Sequence, residues 1–573
     1  MPPVFSKERE NRKMYKEKFE YWKNHKDLDP ELRKELESLS EKEIEDSFYT
    51  DVKFQTAGMR GLMGVGTNRL NIHTVRKATM GFINYLLKLS DKPKIAISYD
   101  NRFHSREFAY DCANLLATYN IESYVASSLR PTPELSFMVR HYGCDGGIMI
   151  TASHNPKEYN GYKLYDRNGC QLIPELAQAV IDEIEKLDDV LAIKPNVTED
   201  KKAYIHEVDE DADKAYYEAV LSIRLNKDLN KDFTIAFSPE HGASNWPVRN
   251  CLKLAGYNVE VVEKQCVPDP AFGATKTPNP EQLDAYEEVL KLAKEKAAEL
   301  ILVCDPDGDR MGVGLLHKGE YIILNGNQTG ALLLEYILTA REELGIKVDN
   351  PVMFNTIVTS DIGEAVAKSH GVETEKTLTG FKYIGDKVAK YEKTHEKNYV
   401  FGYEESYGSL ICPFVRDKDA TQACLMLAEA CAYYREKGKT LQDVVEEIYA
   451  RVGAYYDSQL SISLPGADGA AKLKEIMEKT RNNPITEING IKVVKWEDYK
   501  LRKIHENGEE TDLVGFDVTD VLKYYFEDGS FLAVRPSGTE PKCKVYFSMK
   551  DETYEAAKAK NAIFHEYMSQ LLK

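Results

Sequence analysis

Between residues 70 and 200, short apolar runs alternate with amphipathic stretches. Ile95–Tyr99, Ser123–Ala126 and Gly147–Ile150 read as buried strands, and Arg106–Tyr119 reads as a helix between the first two. Alternation of this kind predicts βαβ units and a mainly parallel sheet. The pattern restarts twice. Thr234–Phe237, Asn258–Val262 and Leu300–Val303 are expected strands, with a helix over Pro280–Ala298. A third set has strands near Pro351–Phe354 and Tyr399–Phe401 and a helix over Ala420–Lys437. No sequence repeat is visible, so duplication is inferred from the architecture alone. Before these blocks, residues 6–47 are charged and helical in pattern, with Asp29-Pro30 marking a helix start. After them, Phe531–Val534 and Lys544–Phe547 predict a hairpin, followed by a helix over Glu552–Leu572. The expected organisation is an N-terminal helical arm (1–48), three similar α/β domains with mixed, mainly parallel sheets (49–205, 206–322 and 323–445), and a C-terminal α+β domain (446–573).

With 573 residues the chain is too long for one core. A hydrophobic content of 43% and a charged content of 29% are those of a globular protein. The formal net charge of -18 disfavours a general nucleic-acid binder, although a pocket on an acidic protein can be locally basic. None of the ten cysteines forms a C-x-x-C pair, so reduced, buried thiols are expected rather than a zinc knuckle or a disulfide frame. The N-terminal residues show no apolar signal core, and no apolar run approaches the ~20 residues of a membrane span. No membrane association and a cytoplasmic location are expected.

Four loops carry candidate chemistry. Thr151-Ala152-Ser153-His154-Asn155-Pro156 follows the Gly147–Ile150 strand, with Lys163 shortly after; it reads either as a polar turn or as a hydroxyl nucleophile at a sheet's ligand edge. Asp305-Pro306-Asp307-Gly308-Asp309-Arg310 follows another strand. Its three alternate carboxylates suit one hard cation, but Arg310 and Leu316 stand where an EF-hand needs Gly and Glu. Mg²⁺, which completes its shell with water or phosphate, fits better, a solvated acidic turn being the other reading. Gly402-Tyr403-Glu404-Glu405-Ser406-Tyr407-Gly408 has groups able to bind sugar hydroxyls, an exposed acidic turn being an equal reading; nearby Arg416 and Lys418 add cations or surface ion pairs. Arg535-Pro536-Ser537-Gly538-Thr539-Glu540-Pro541-Lys542 combines a guanidinium, two hydroxyls, a glycine and a lysine, the makings of an anion cradle, a plain hairpin turn being the other reading. Together they describe phosphoryl transfer on a polyol phosphate.

These four loops, in this order, resemble the signature loops of the α-D-phosphohexomutase superfamily over roughly residues 50–548. Length, the N-terminal arm and Thr379-Gly380-Phe381-Lys382 resemble its phosphoglucomutase/phosphopentomutase branch. The resemblance implies domains around a central active-site cleft, with Ser153 as phosphoserine. Asp305, Asp307 and Asp309, with a phosphoserine oxygen, would hold one Mg²⁺. His154, Lys163 and Arg310 would be charge-neutralising or proton-transferring groups. Thr379, Gly380 and Lys382 would line a sugar-specificity loop, with Glu404 and Ser406 on sugar hydroxyls and Arg416 and Lys418 beside them. Arg535, Ser537, Gly538, Thr539 and Lys542 would hold the non-reacting phosphate. The family's early phosphate loop, Thr-Ser-Gly-Ile-Arg-Gly, stands here as Thr56-Ala57-Gly58-Met59-Arg60-Gly61: one hydroxyl is lost and Arg60 remains.

The implied activity interconverts α-D-glucose 1-phosphate and glucose 6-phosphate through glucose 1,6-bisphosphate, in a monomer or homodimer. Water must be kept from the phosphoserine, and closure by the C-terminal domain is the expected means. Phosphopentomutase, phosphomannomutase or hexose-bisphosphate synthase activities share the chemistry. A Mg²⁺-dependent phosphatase, for which Asp-x-Asp is the cue, and a non-catalytic sugar-phosphate scaffold are rivals from other classes.

Overall fold

Strands form where the chain offers runs buried on both faces, and this is clearest in the first sheet. A computed structural model describes residues 4–55, 58–463, 469–536 and 542–572. The first six strands are β1 (Met59–Leu62), β2 (Lys94–Tyr99), β3 (Glu122–Ala126), β4 (Gly146–Ile150), β5 (Tyr159–Asp166) and β6 (Ile205–Val208). Their spatial order is β1-β5-β4-β2-β3-β6. β4, β2, β3 and β6 run parallel, while β5 returns antiparallel to β4. Helices Ile72–Leu86 and Ser105–Thr118 pack against this sheet, with Phe82, Ile83, Leu115 and Leu116 in one core with Ile97 and Ile148.

The second sheet repeats the scheme. Four of its strands, β7 (Thr234–Ser238), β8 (Asn258–Val261), β9 (Leu300–Cys304) and β10 (Met311–His317), lie in the order β10-β9-β7-β8. β8 and β9 are parallel to β7, and β10 folds back antiparallel on β9. The helix expected over Pro280–Ala298 is shorter: Leu283–Tyr286 is a 3₁₀ turn and the α-helix covers Glu287–Lys296. Asn279 is the reason, since its side chain accepts from Glu281 N at 3.0 Å and its carbonyl from Gln282 N at 2.9 Å, which holds the start in a turn.

The chain forms two compact units. One comprises the chain up to Leu316 with Phe381–His395 and Gly408–Glu429; the other comprises His317–Gly380, Glu396–Tyr407 and Ala430 onward. Within the second unit, Pro351–Thr356 is the middle strand of a parallel set, flanked by Glu373–Thr377 and Asn398–Tyr403. Its C-terminal part is an antiparallel sheet in which Phe531–Pro536 lies between Lys542–Asp551 and Leu522–Phe526, under the helices Gly469–Asn482 and Tyr554–Leu571. The predicted hairpin and terminal helix are present. The further strands Ala454–Ser463, Ile491–Asp498 and Leu522–Phe526 were not expected from sequence.

The N-terminal arm is three helices, Val4–Asn24, Pro30–Ser38 and Glu41–Phe48. Asp29 caps the second, accepting from Glu31 N and Leu32 N at 3.0 and 3.2 Å, with Pro30 at the first helical position. A Ser40–Glu43 capping box starts the third. Trp22, Leu28, Leu36 and Phe48 form a core that the arm shares with Val65 and Leu191. Against it lies His73, buried edge-on to the Trp22 ring at 5.5 Å, with neither ring nitrogen hydrogen-bonded among the described residues.

Burial, aided by the Arg76 charge, pushes His73 down to about 4. A base depressed in the folded state stabilises fully above its unfolded value, about 6.5, and loses that stability as pH falls toward 4. Acidification across this window should cost up to roughly 3 kcal/mol and loosen the arm. Trp22 fluorescence against pH is the readout, and His73→Leu should flatten the profile between pH 6.5 and 4. An unchanged profile in that variant would reject the assignment.

Candidate active site

β4 and β2 are parallel neighbours from which the chain departs to opposite sides, so their carboxyl ends flank a topological switch point. The Ser153 loop leaves β4 there and Asp100–Arg102 leaves β2. Ser153 adopts φ 52°, a left-handed conformation that costs a non-glycine residue of order 1–2 kcal/mol. Its surroundings enforce it. Ser153 N donates to Thr151 Oγ1 at 2.8 Å, and Thr151 Oγ1 donates to Asp100 Oδ2 at 2.6 Å. Arg102, wholly buried, lies 3.2 Å from Asp100 and donates to the carbonyls of Ser153, Asn155, Pro156 and Tyr159. Gly161 completes the frame, because a Cβ there would meet Thr151 O at 2.3 Å.

The acidic loop joins β9 to β10, and Gly308 turns it at φ 66°. Asp305, Asp307 and Asp309 are buried, with one oxygen from each lying within 4.8 Å of the others. Asp305 Oδ1 accepts from the backbone N–H groups of Asp309 and Arg310 at 3.1 and 3.0 Å. Thr132 binds Asp307 twice, backbone to backbone and hydroxyl to Oδ2, both at 2.8 Å. Ser153 Oγ donates to Asp305 Oδ2 at 2.9 Å and lies 3.2 Å from His154 Nδ1. Lys163, set opposite Met149 by the β4–β5 register, reaches Asp307 Oδ2 at 2.8 Å and Asp309 Oδ2 at 3.9 Å. Lys418 reaches Asp309 Oδ2 at 3.2 Å. Serine, acidic triad and lysines thus converge within the first unit.

The electrostatics follow from burial and crowding. Burial and the charges of Asp307 and Asp309 hold Asp305 well above the carboxylate range. Asp307 is buried too, but Lys163 outweighs that penalty and holds it below its ordinary value. Burial opposes charge on Lys163, yet Asp307 and Asp309 raise it overall. Loss of solvation, then the Arg310 and Arg60 charges, hold His154 well below its ordinary value, so its imidazole is neutral at pH 7. Arg310 pairs with Glu281 and lies 3.7 Å from Asp309 Oδ1. Arg60 donates to Asn155 Oδ1 at 3.0 Å, at the rim of the serine loop.

The other predicted residues lie as follows. In the first unit, Arg416 is fully buried against Glu392, and Lys382 lies 5.3 Å from the Tyr383 ring centroid. The run Arg416–Asp419 is buried throughout, so the surface-ion-pair reading of it does not hold. In the second unit, Glu404 is buried and accepts from Gly380 N at 2.8 Å, which removes the exposed-turn reading; the buried Thr379 Oγ1 has no hydrogen-bond partner among the described residues. Ser406 is half-buried beside Glu405, whose carboxylate accepts from Thr359 at 2.9 Å. Arg535 and Lys542 are half-buried at the facing ends of the last two strands. Thr56 and Ala57 of the early loop, and Ser537, Gly538 and Thr539, lie outside the described residues. Sequence reasoning missed Asp100, Arg102 and Thr132. The signal for the first two was a polar Asp-Asn-Arg directly after a predicted strand; Thr132, at a Pro-Thr-Pro helix start, had none.

With this geometry in view, the chain matches all four parts of one family: phosphoglucomutase/phosphomannomutase alpha/beta/alpha domains I (51–190), II (214–317) and III (325–452) and the C-terminal domain (471–566). It is 38% identical over 551 residues to a phosphoglucomutase of Staphylococcus epidermidis, covering 94% of this chain and 98% of that one. It is 37% identical over 522 residues to a Staphylococcus aureus phosphoglucomutase, covering 91% and 93%. Among solved structures, Paramecium pp63/parafusin, a phosphoglucomutase, aligns with a TM-score of 0.68 at 20% identity over 91% of this chain and 95% of that one. A family protein of Burkholderia thailandensis aligns at 0.65 and 16% over 90% and 97%. The chain belongs to the phosphoglucomutase/phosphomannomutase family.

Arg102 should matter through position. Arg102→Lys keeps a cation beside Asp100 but cannot bridge four carbonyls. Steady-state kinetics are expected to show kcat falling about 10²-fold with KM little changed. A KM effect with kcat intact would contradict this.

Proposed function

We propose that the chain interconverts α-D-glucose 1-phosphate and glucose 6-phosphate, with Ser153 carrying the phosphoryl group and glucose 1,6-bisphosphate as the intermediate. The observation that carries this reading is Ser153 Oγ at 2.9 Å from an acidic triad on a neighbouring sheet. The names of the relatives at 37–38% identity support glucose as the sugar. Mg²⁺ suits the donor set: three buried carboxylates, two of which, Asp307 and Asp309, each keep a buried oxygen without a hydrogen-bond partner among the described residues. When bound, the ion would neutralise charge on the phosphoryl oxygens and orient the group.

The chain's own groups do the rest. Lys163 and Lys418 hold positive charge against the triad, where equatorial phosphoryl oxygens need neutralising. His154, neutral and 3.2 Å from Ser153 Oγ, is suited to accept a proton from a hydroxyl brought to that position. Arg310 and Arg60 supply further fixed charge. Thr379, Gly380, Lys382, Glu404 and Ser406 are assigned to sugar recognition, with Arg416 as a buried support and Lys418 shared with the triad. Arg535, Ser537, Gly538, Thr539 and Lys542 are assigned to the second phosphate. Guanidinium and backbone N–H groups recognise a dianion rather than a sugar, which lets the bisphosphate be held in either orientation.

Mass spectrometry should find one phosphate on Ser153, discharged by excess sugar monophosphate. Ser153→Ala should lower mutase kcat by about 10⁴-fold or more, and metal chelation should abolish activity reversibly. Full activity in Ser153→Ala, or inorganic phosphate released as fast as isomer forms, would overturn the proposal. Relative kcat/KM on glucose, mannose and ribose 1-phosphates ranks the sugars, and a preference for ribose or mannose would reassign the substrate.

A further inference from the structure

Away from the serine loop, the first unit has a cavity of about 330 Å³ beside Trp246, at the lower end of small-molecule sites. Its walls are the Ser128–Arg130 loop, the helix Glu210–Ser222 and the start of the helix Asn245–Leu254. Its charges are already cancelled. Arg130 forks onto Asp213 with contacts of 2.6 and 2.9 Å and spends a third nitrogen on Leu129 O and Ser128 Oγ. Lys214 pairs with Glu210 at 3.4 Å. Two cations against two carboxylates leave no net attraction for a phosphate.

What the cavity does offer is an indole. Trp22 is buried and Trp496 is stacked on His505 at 3.8 Å, whereas Trp246 is 61% exposed. Arg249 sits 5.3 Å from the Trp246 ring centroid, which steadies an aromatic surface otherwise open to solvent. Tyr217, Asn250 and Asp213 line the same cavity. A flat aromatic face ringed by uncharged and charge-cancelled hydrogen-bonding groups matches a pyranose, which has an apolar C–H face and a rim of hydroxyls. We propose that this cavity is a second, non-catalytic site that binds a neutral saccharide.

Maltose is the probe, added to the full-length protein and followed by saturation-transfer NMR. Expected are saturable transfer at millimolar maltose, no displacement by excess glucose 1-phosphate or inorganic phosphate, affinity lowered at least tenfold in Trp246→Ala, and affinity kept in Trp246→Phe. Trp246→Ala should keep mutase activity and the thermal transition, since the side chain lies at the surface. The proposal is overturned by an absence of saturable transfer up to about 10 mM, a limit of weak binding. Equal affinity in Trp246→Ala, or displacement by either phosphate, which would assign the signal to an anion site, overturns it too.

Discussion

Three carboxylates held in one buried cluster set the terms for the rest of the first unit. Pairs of like charges within 4.8 Å repel by at least about 3.5 kcal/mol each at an effective dielectric near 20. The fold meets this with Lys163 from β5, Lys418 from the Gly408–Glu429 segment, and hydrogen bonds from Thr132 and from the backbone of Asp309 and Arg310. Even so, Asp305 is driven well above the carboxylate range, and the Ser153 hydroxyl is among the groups that share its oxygens. A divalent cation would remove the repulsion that these contacts only moderate. The same excess of negative charge explains why lysines can be buried here at all: Lys163 is raised rather than lowered because its carboxylate neighbours outweigh the loss of solvent.

The serine loop obeys a different constraint, which is shape. A non-glycine residue at φ 52° persists only where its neighbours leave it no alternative. Arg102 supplies that by gathering four carbonyls of one loop onto a single guanidinium, itself anchored by Asp100. A planar fork with five donors is suited to this and an ammonium is not.

Much of this was legible in the sequence, and the division has physical reasons. β2, β4, β7 and β9 are largely continuous apolar runs because helices or sheet neighbours cover both faces, so periodicity finds them. In the C-terminal sheet, Ile491–Asp498 starts as an alternation of half-buried and exposed residues and Glu509–Asp512 is exposed throughout, so these two read as polar loop. Ser153 and the aspartates were visible because their chemistry is concentrated in single loops. Arg102 and Thr132 act on residues 51 and 175 positions away, a relation that pairing of distant segments creates and local pattern cannot carry. The burial of Arg416 and Asp419 was hidden for the same reason, since their partners Glu392 and Tyr216 come from other elements.

The two sheets of the first unit also explain why the reactive groups sit where they do. In each, a central parallel strand turns straight back into an antiparallel neighbour, β4 into β5 and β9 into β10, and the chemistry occupies that turn. A loop between two ladder-bonded strands has both ends fixed, unlike a strand-to-helix connection with one end free to shift. Phosphoryl transfer is limited by positioning and fixed charge rather than by covalent chemistry from the protein. Placing the serine on one such turn and the carboxylates on the other lets each arrive pre-oriented, and the Thr132–Asp307 and Lys163–Asp307 contacts lock the two sheets at the atom where their alignment matters. In the second unit the strand Asn398–Tyr403 likewise runs directly into Glu404, so the architecture, rather than any sequence repeat, is what the three α/β blocks share.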